Sequence, residues 1–198
     1  MARVEQFVMA YGAEQDRLRA FLPEGYESLR PVLRINTEIR DGRTVYVEFN
    51  TPVQAGSFKG WLNVGSWISG EDPVSFKREG NRVTITAPFL TLWYEGTGAE
   101  GGCPAEKDND GCWFLSGERA ELRPAEQITV RKEFCDCGFA WRFAGGDASG
   151  LSTGKTLPAF REEVGNVYPR QAFTPENAAA VPCRQVLGAY IVRFERKM

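Results

Sequence analysis

Histidine is absent from all 198 residues of the chain. Without an imidazole, the chain cannot form a catalytic triad with a histidine base, a zinc site with histidine ligands or a histidine-based pH switch. General acid or base chemistry would therefore fall to carboxylates, lysines, cysteines or tyrosines with shifted pKa values.

Long apolar runs and clusters of basic residues are also missing. No run of about 18 apolar residues is available to span a bilayer, and the opening MARVEQFVMAYG lacks the unbroken apolar region of a secretory signal. The formal net charge of −2 and the scattered lysines and arginines argue against a nucleic-acid partner. We expect a cytoplasmic protein without a membrane or nucleic-acid partner.

The composition is that of a folded globular protein, with 42% hydrophobic and 12% aromatic residues. A chain of this length can bury a core without disulfides. No linker, repeat or low-complexity segment interrupts it. Residues 1–198 are therefore predicted to form a single domain.

Short β-prone runs separated by tight turns dominate the chain. Val32 to Ile39 alternates apolar and polar residues, and Val45 to Phe49 resumes the alternation after Asp41-Gly42. These two turn residues readily adopt the positive φ angles of a two-residue hairpin. A second hairpin turn is predicted at Gly80-Asn81. In the run Phe58 to Ile68, Trp61 and Trp67 are predicted to share one face of a strand.

Two short helices are predicted among these strands. The first spans Ala13 to Leu22, with acidic residues in its first turn, and the second spans Glu176 to Ala180 after a Thr174-Pro175 cap. The predicted fold class is therefore α+β and mainly β, an antiparallel barrel or sandwich with two short helices.

Four of the five cysteines, Cys103, Cys112, Cys135 and Cys137, lie within Glu100 to Trp141. An odd number of cysteines in a reducing compartment indicates thiols or metal ligands more than disulfides. Four thiolates could hold zinc, but their irregular spacing favours buried thiols, so no metal or cofactor is predicted. A structural or redox- or metal-sensing domain built on these cysteines is the alternative function.

The opening VEQFVMAYGAEQDRLRAFLPEGYE, followed by VLRINTEI, resembles the N-terminal part of the acetoacetate decarboxylase superfamily. The matching features are Tyr11 at the end of the first strand, Asp16 and Leu18 in a short helix, and the Leu22-Pro23 break. The rest of the chain matches only as a series of strands. The resemblance implies a closed β-barrel with an internal pocket for a small oxo-acid or similar metabolite, and it is compatible with a homo-oligomer.

The family's chemistry needs a Schiff-base lysine whose pKa is lowered by an apolar pocket and a neighbouring cation. The nearest match is SFKREG, with Lys77 as nucleophile, Arg78 as cation and Glu71 as a carboxylate. Phe76 stands where the family has proline, and Gly12 stands where it has arginine. In another register of the comparison, the hairpin that carries Lys77 matches a later hairpin of the family, and the family's catalytic segment is deleted from this chain.

Glu38 and Glu48 are the predicted ligand-binding residues. They lie on the polar faces of the first hairpin, and would point into a barrel lumen in the decarboxylase-like hypothesis but into solvent in the cysteine-based alternative. The predicted function is a small-molecule-binding β-barrel protein. It is either a degenerate binding protein or a weak Schiff-base decarboxylase that acts through Lys77 on a small oxo-acid.

Overall fold

The computed structural model describes residues 1–87, 89–101, 111–116, 119–126, 128, 130–141, 148–153, 165–178 and 181–197. These residues form thirteen strands and one short helix. In chain order the elements are β1 (Ala2–Gly12), α1 (Gln15–Arg19), β2 (Glu27–Ser28), β3 (Val32–Arg40), β4 (Thr44–Ala55), β5 (Phe58–Ile68), β6 (Ser75–Glu79), β7 (Arg82–Ala87), β8 (Leu90–Glu100), β9 (Gly111–Ser116), β10 (Arg119–Pro124), β11 (Glu133–Trp141), β12 (Ala148–Thr153) and β13 (Gln185–Arg196). No helix in these ranges has the length and apolar composition to cross a membrane.

All thirteen strands belong to one mixed sheet. Its order is β10-β9-β5-β4-β3-β1-β13-β11-β8-β7-β6, with β12 paired to β11 and β2 paired to β4. The contact between β5 and β9 is parallel, whereas the other strand pairs are antiparallel. Over the described residues the sheet ends at β10 and β6 without closing. The mainly β class is confirmed, but an open mixed sheet replaces the predicted closed antiparallel barrel.

Both predicted hairpins are present, but the loop of the first has three residues, Asp41, Gly42 and Arg43, where two were predicted. Asp41 and Gly42 have φ angles of 50° and 65°, and they join β3 to β4 with Arg40 opposite Thr44. Positive φ at both central residues gives a turn whose twist matches that of the two strands. Gly80, with φ of 60°, lies between β6 and β7.

One of the two predicted helices is present, and Ala179 and Ala180 of the other lie outside the described residues. The first predicted segment, Ala13 to Leu22, includes α1, and Leu18 of this helix is buried in the core. At the second, the described residues form a turn, in which the Ala178 amide donates to the Thr174 carbonyl at 3.0 Å. The Asn177 side-chain oxygen accepts from the Thr174 amide, as the return bond of a capping box does, and the described residues 174–178 complete only this one turn. The prediction of two helices is therefore corrected to one within the described ranges.

The two faces of β3 have different chemistry. Leu33, Ile35 and Ile39 join the main hydrophobic core, in which each is at most 2% exposed. The alternating residues Asn36 and Glu38 are also buried, although they are polar. Because side chains alternate across a strand, the polar face of β3 must be covered by another part of the protein and not by solvent.

A β-bulge in β5 overturns the prediction of an indole wall. Phe49 pairs with Gly65 and Asn50 pairs with Asn63, so Val64 is the extra residue. An extra residue reverses the alternation of side chains beyond it. Trp67 therefore packs on Phe49 in the main core, with 5.3 Å between ring centroids, while Trp61 lies on the opposite face with the smaller cluster around Val8 and Tyr190.

Candidate functional site

A cavity of about 640 Å³ lies on the polar face of the sheet, on the opposite side from the main core. Strands β1, β3, β4, β5 and β13 contribute side chains to it. The β9–β10 hairpin and described residues between 125 and 132 complete the lining. This volume is in the range of small-molecule sites.

Glu38 is held at one end of the cavity by a network of cations. The Arg196 guanidinium donates to both carboxylate oxygens of Glu38, at 2.7 and 2.8 Å, and Arg40 Nε donates at 2.8 Å. Burial alone would raise the pKa of Glu38, but the hydrogen bonds and charges of Arg196 and Arg40 lower it below its ordinary value. Arg196 also bonds Glu126 on the rim. Glu38 is therefore an ionised structural anchor of the cavity.

Glu48 is held differently, by neutral donors. Its Oε1 accepts from Asn36 Nδ2 at 2.8 Å and from Asn50 Nδ2 at 3.2 Å. Its Oε2 accepts from Tyr46 Oη at 2.8 Å and from Asn63 Nδ2 at 3.1 Å. Four donors fill about the full accepting capacity of a carboxylate. Among the described residues no cation forms an ion pair with Glu48, so its carboxylate is held by neutral donors alone.

The Glu48 charge affects the hydroxyl and thiol next to it. Burial, together with Glu48, raises the pKa of Tyr46. Burial and the Glu48 charge also raise the pKa of Cys112 to about 12. Cys112 Sγ lies 3.5 Å from Asn50 Oδ1. The Cys112 thiol is therefore protonated at neutral pH and is a poor nucleophile.

Arg34 and Trp61 form the second feature of the cavity. The Arg34 guanidinium carbon lies 3.9 Å from the centroid of the Trp61 ring, which is a cation–π geometry. Within the described part of the chain, Arg34 has no carboxylate partner, and the buried Arg34 Nε and Trp61 Nε1 have no hydrogen-bond acceptor. Arg34 is thus oriented by an aromatic ring and retains its hydrogen-bonding capacity.

The cavity lining carries an excess of positive charge. Its cationic side chains are Arg34, Arg40, Arg123, Lys132 and Arg196, and its carboxylates are Glu38, Glu48 and Glu126. Five cations against three anions leave two excess positive charges, which favour an anionic ligand.

The predicted catalytic residues lie elsewhere. Lys77 is 72% exposed and pairs with Glu79 at 2.6 Å, and Arg78 forms an ion pair with Glu5. Glu71 is exposed in the turn after β5. Lys77 and Arg78 point to opposite faces of β6, and none of the three residues lines the cavity with Glu38 and Glu48. The structure therefore gives Lys77 neither the apolar enclosure nor the neighbouring cation that Schiff-base chemistry requires.

The predicted cysteine cluster is divided by the sheet. Cys135 and Cys137 share a face of β11 and are buried in the main core, whereas Cys112 packs with the cluster on the cavity side. Cys103 lies outside the described residues. In the described ranges, cysteines and carboxylates do not gather in groups of three or more that could hold a metal ion.

The alternating pattern of Val32 to Ile39 predicts that Arg34 and Asn36 lie on the polar face of β3, but it does not assign them to a site. The feature that could have indicated them is their alternation with apolar residues, the same pattern that predicts Glu38 on this face. Trp61 could not be assigned in this way, because β4 separates its strand from β3.

No family model and no curated protein sequence matches the chain. One similar solved structure is an acetoacetate decarboxylase from Legionella pneumophila, with a TM-score of 0.56 and 10% sequence identity. Another acetoacetate decarboxylase has a TM-score of 0.54 and 12% sequence identity. The enduracididine biosynthesis enzyme MppR has a TM-score of 0.53 and 11% sequence identity. Each alignment covers 97% of this chain and 82%, 84% and 82% of the other chain, respectively. The chain therefore has an acetoacetate decarboxylase-like fold.

Proposed function

We propose that this protein binds a small carboxylate metabolite in the cavity and does not carry out Schiff-base decarboxylation through Lys77. The observation that carries this proposal is Arg34, which lies against Trp61 inside a cavity with excess positive charge. A guanidinium can bind both oxygens of a carboxylate in one plane, and stacking on an indole fixes that plane. Arg34 is the group that receives the ligand's carboxylate.

The fold neighbours support a small acid as ligand. MppR has been solved with the condensation product of pyruvate and imidazole 4-carboxaldehyde, in a structure with a TM-score of 0.53 to this chain. An oxo-acid-derived ligand therefore occurs in a protein of this fold. The proposal for this chain rests on its own cavity, because 10% identity carries no residue-level correspondence.

Replacing Arg34 with methionine is expected to weaken carboxylate binding about 10- to 100-fold, the range for a lost charge-assisted hydrogen bond. Isothermal titration calorimetry with a panel of three- to five-carbon monocarboxylates measures this effect. Arg123→Met is the matched control. Arg123 lines the same cavity, but its side chain is 57% exposed and already pairs with Glu121 at 3.2 Å, so we expect less than about a threefold change. Equal losses in the two variants, or no binding to the unmodified protein, would contradict the proposal.

Borohydride reduction in the presence of acetoacetate is expected to leave Lys77 unmodified. Lys77 is exposed and ion-paired with Glu79, so it lacks the apolar enclosure that activates a Schiff-base lysine. Peptide mass mapping after reduction checks this, and Lys77→Ala provides the control. The mapping should also cover Lys132, the lysine among the described cavity-lining residues. A stoichiometric adduct on Lys77 that disappears in Lys77→Ala would restore the decarboxylase hypothesis.

A further inference from the structure

The side-chain amide of Asn36 is fixed in one orientation. Its Nδ2 donates to Glu48 Oε1 at 2.8 Å, and the reversed orientation would place the amide oxygen against a carboxylate. Asn36 is 6% exposed and lines the cavity, yet its Oδ1 is buried without a donor among the described residues. A buried acceptor without a partner is unfavourable unless a ligand supplies the missing donor.

Asn36 lies close to the proposed carboxylate-binding group. Arg34 and Asn36 are two residues apart on the same face of β3, so their backbone positions are about 6.6 Å apart at 3.3 Å per residue. A small acid bound at Arg34 therefore has its first few carbon atoms within reach of the Asn36 side chain.

The charge beside Asn36 determines which ligand group fits there. Glu48 already accepts four hydrogen bonds, so it contributes mainly its negative charge. A ligand carbonyl oxygen would lie against Asn36 Oδ1 and the Glu48 carboxylate. All three groups are hydrogen-bond acceptors, so no hydrogen bond could form among them. A hydroxyl or an ammonium would instead donate to Asn36 Oδ1 and would be stabilised by the Glu48 charge.

From this arrangement we infer that the cavity selects carboxylic acids that carry a hydroxyl or amino donor near the carboxylate, and that it disfavours the corresponding oxo-acids. This inference rests on the proposed function. Arg34 binds the carboxylate, and Asn36 Oδ1 is the specificity-determining acceptor. A site built to bond a ligand hydroxyl rejects an analogue that lacks it because the protein acceptor then remains buried and unpaired.

The test compares the binding of matched four-carbon acids to the unmodified protein. The acids are butyrate, 3-hydroxybutyrate, 3-aminobutyrate, acetoacetate, 2-hydroxybutyrate and 2-oxobutyrate. Calorimetry is expected to give at least one donor-bearing acid an affinity about tenfold above butyrate and its oxo counterpart, consistent with one ligand hydrogen bond. Equal affinities, or tighter binding of the oxo-acids, would overturn the inference while leaving the proposed function intact. Absence of binding by every acid would overturn both.

Asn36→Leu provides a second test of the same acceptor. In this variant the ratio between the affinity for the donor-bearing acid and the affinity for butyrate is expected to fall from about ten to about one, because the buried acceptor that distinguishes the two acids is gone. A preserved preference would show that another group makes the selection. Because Asn36 also donates to Glu48, circular dichroism must first confirm that the variant folds, and the ligand comparison on the unmodified protein decides the inference if it does not.

Discussion

Arg196→Met is expected to lower the free energy of unfolding by about 3 kcal/mol at pH 7, the low end of the range for removing one partner of a buried ion pair. The variant leaves Glu38, which is 3% exposed, without its bidentate partner. Arg40 still bonds one oxygen of Glu38, so the loss is smaller than for a fully isolated charge. Urea denaturation followed by tryptophan fluorescence measures the change.

Arg193→Met is the matched control on the same strand. Arg193 pairs with Glu5 at 2.9 Å and Glu133 at 2.8 Å, but its side chain is 54% exposed. Exposed ion pairs contribute at most about 1 kcal/mol, so this variant should lose much less stability than Arg196→Met. A similar loss in both variants would show that burial of Glu38 does not determine the effect.

The effect of Arg196 should depend on pH in a defined direction. Arg196 and Arg40 offset the burial of Glu38 and lower its pKa below the ordinary value of 4.5. A lowered carboxyl pKa contributes stability that is fully present above pH 4.5 and is lost as the pH falls through the folded-state pKa. The stability difference between the wild type and Arg196→Met should therefore be full at pH 7 and shrink below pH 4.5. The double variant Glu38→Gln/Arg196→Met should recover part of the loss, because it no longer buries an unpaired charge.

The features that the sequence predicted well are local ones. Asp41 and Gly42 adopt their turn because of their own backbone preferences, and the strands on either side follow the period-two pattern. The same period placed Glu38 and Glu48 on the face opposite the core, where both line the cavity. Their ligand-binding role remains a prediction, since the hydrogen-bonding capacity of each is already used by protein donors.

The features that the sequence could not predict depend on contacts between distant segments. The parallel pairing of β9 with β5 covers the polar face, and neither strand carries a pattern that specifies this partner. Gly60 permits the pairing because a Cβ there would lie 2.3 Å from the Gly111 carbonyl oxygen. The bulge at Val64 moved Trp67 into the core while Trp61 remained beside Arg34. The proposed carboxylate site thus arises from tertiary packing.

Glu48→Leu is expected to be the most destabilising of these single changes, with a loss of about 4 kcal/mol in the free energy of unfolding. The leucine removes the common acceptor of the Asn36, Asn50 and Asn63 amides and the Tyr46 hydroxyl. Each buried donor left without an acceptor costs about 1–3 kcal/mol before the structure relaxes. Urea denaturation measures the loss, and a loss below about 1 kcal/mol, typical of an ordinary surface change, would contradict this view of Glu48.

Glu48→Gln removes the charge of Glu48 and turns one of its two acceptor oxygens into an amide donor. The amide retains one acceptor oxygen but removes the negative charge that helps to raise the pKa of Cys112 to about 12. The pKa of Cys112 should therefore fall, and its alkylation by iodoacetamide at pH 9 should become faster because more thiolate is present. Cys183 is the internal control, since burial raises its pKa to about 11 without a contribution from Glu48. Peptide mapping should show faster labelling at Cys112 and an unchanged rate at Cys183. Equal acceleration at both cysteines would indicate general loosening of the fold, and no acceleration at Cys112 would show that the charge of Glu48 does not act on the cavity.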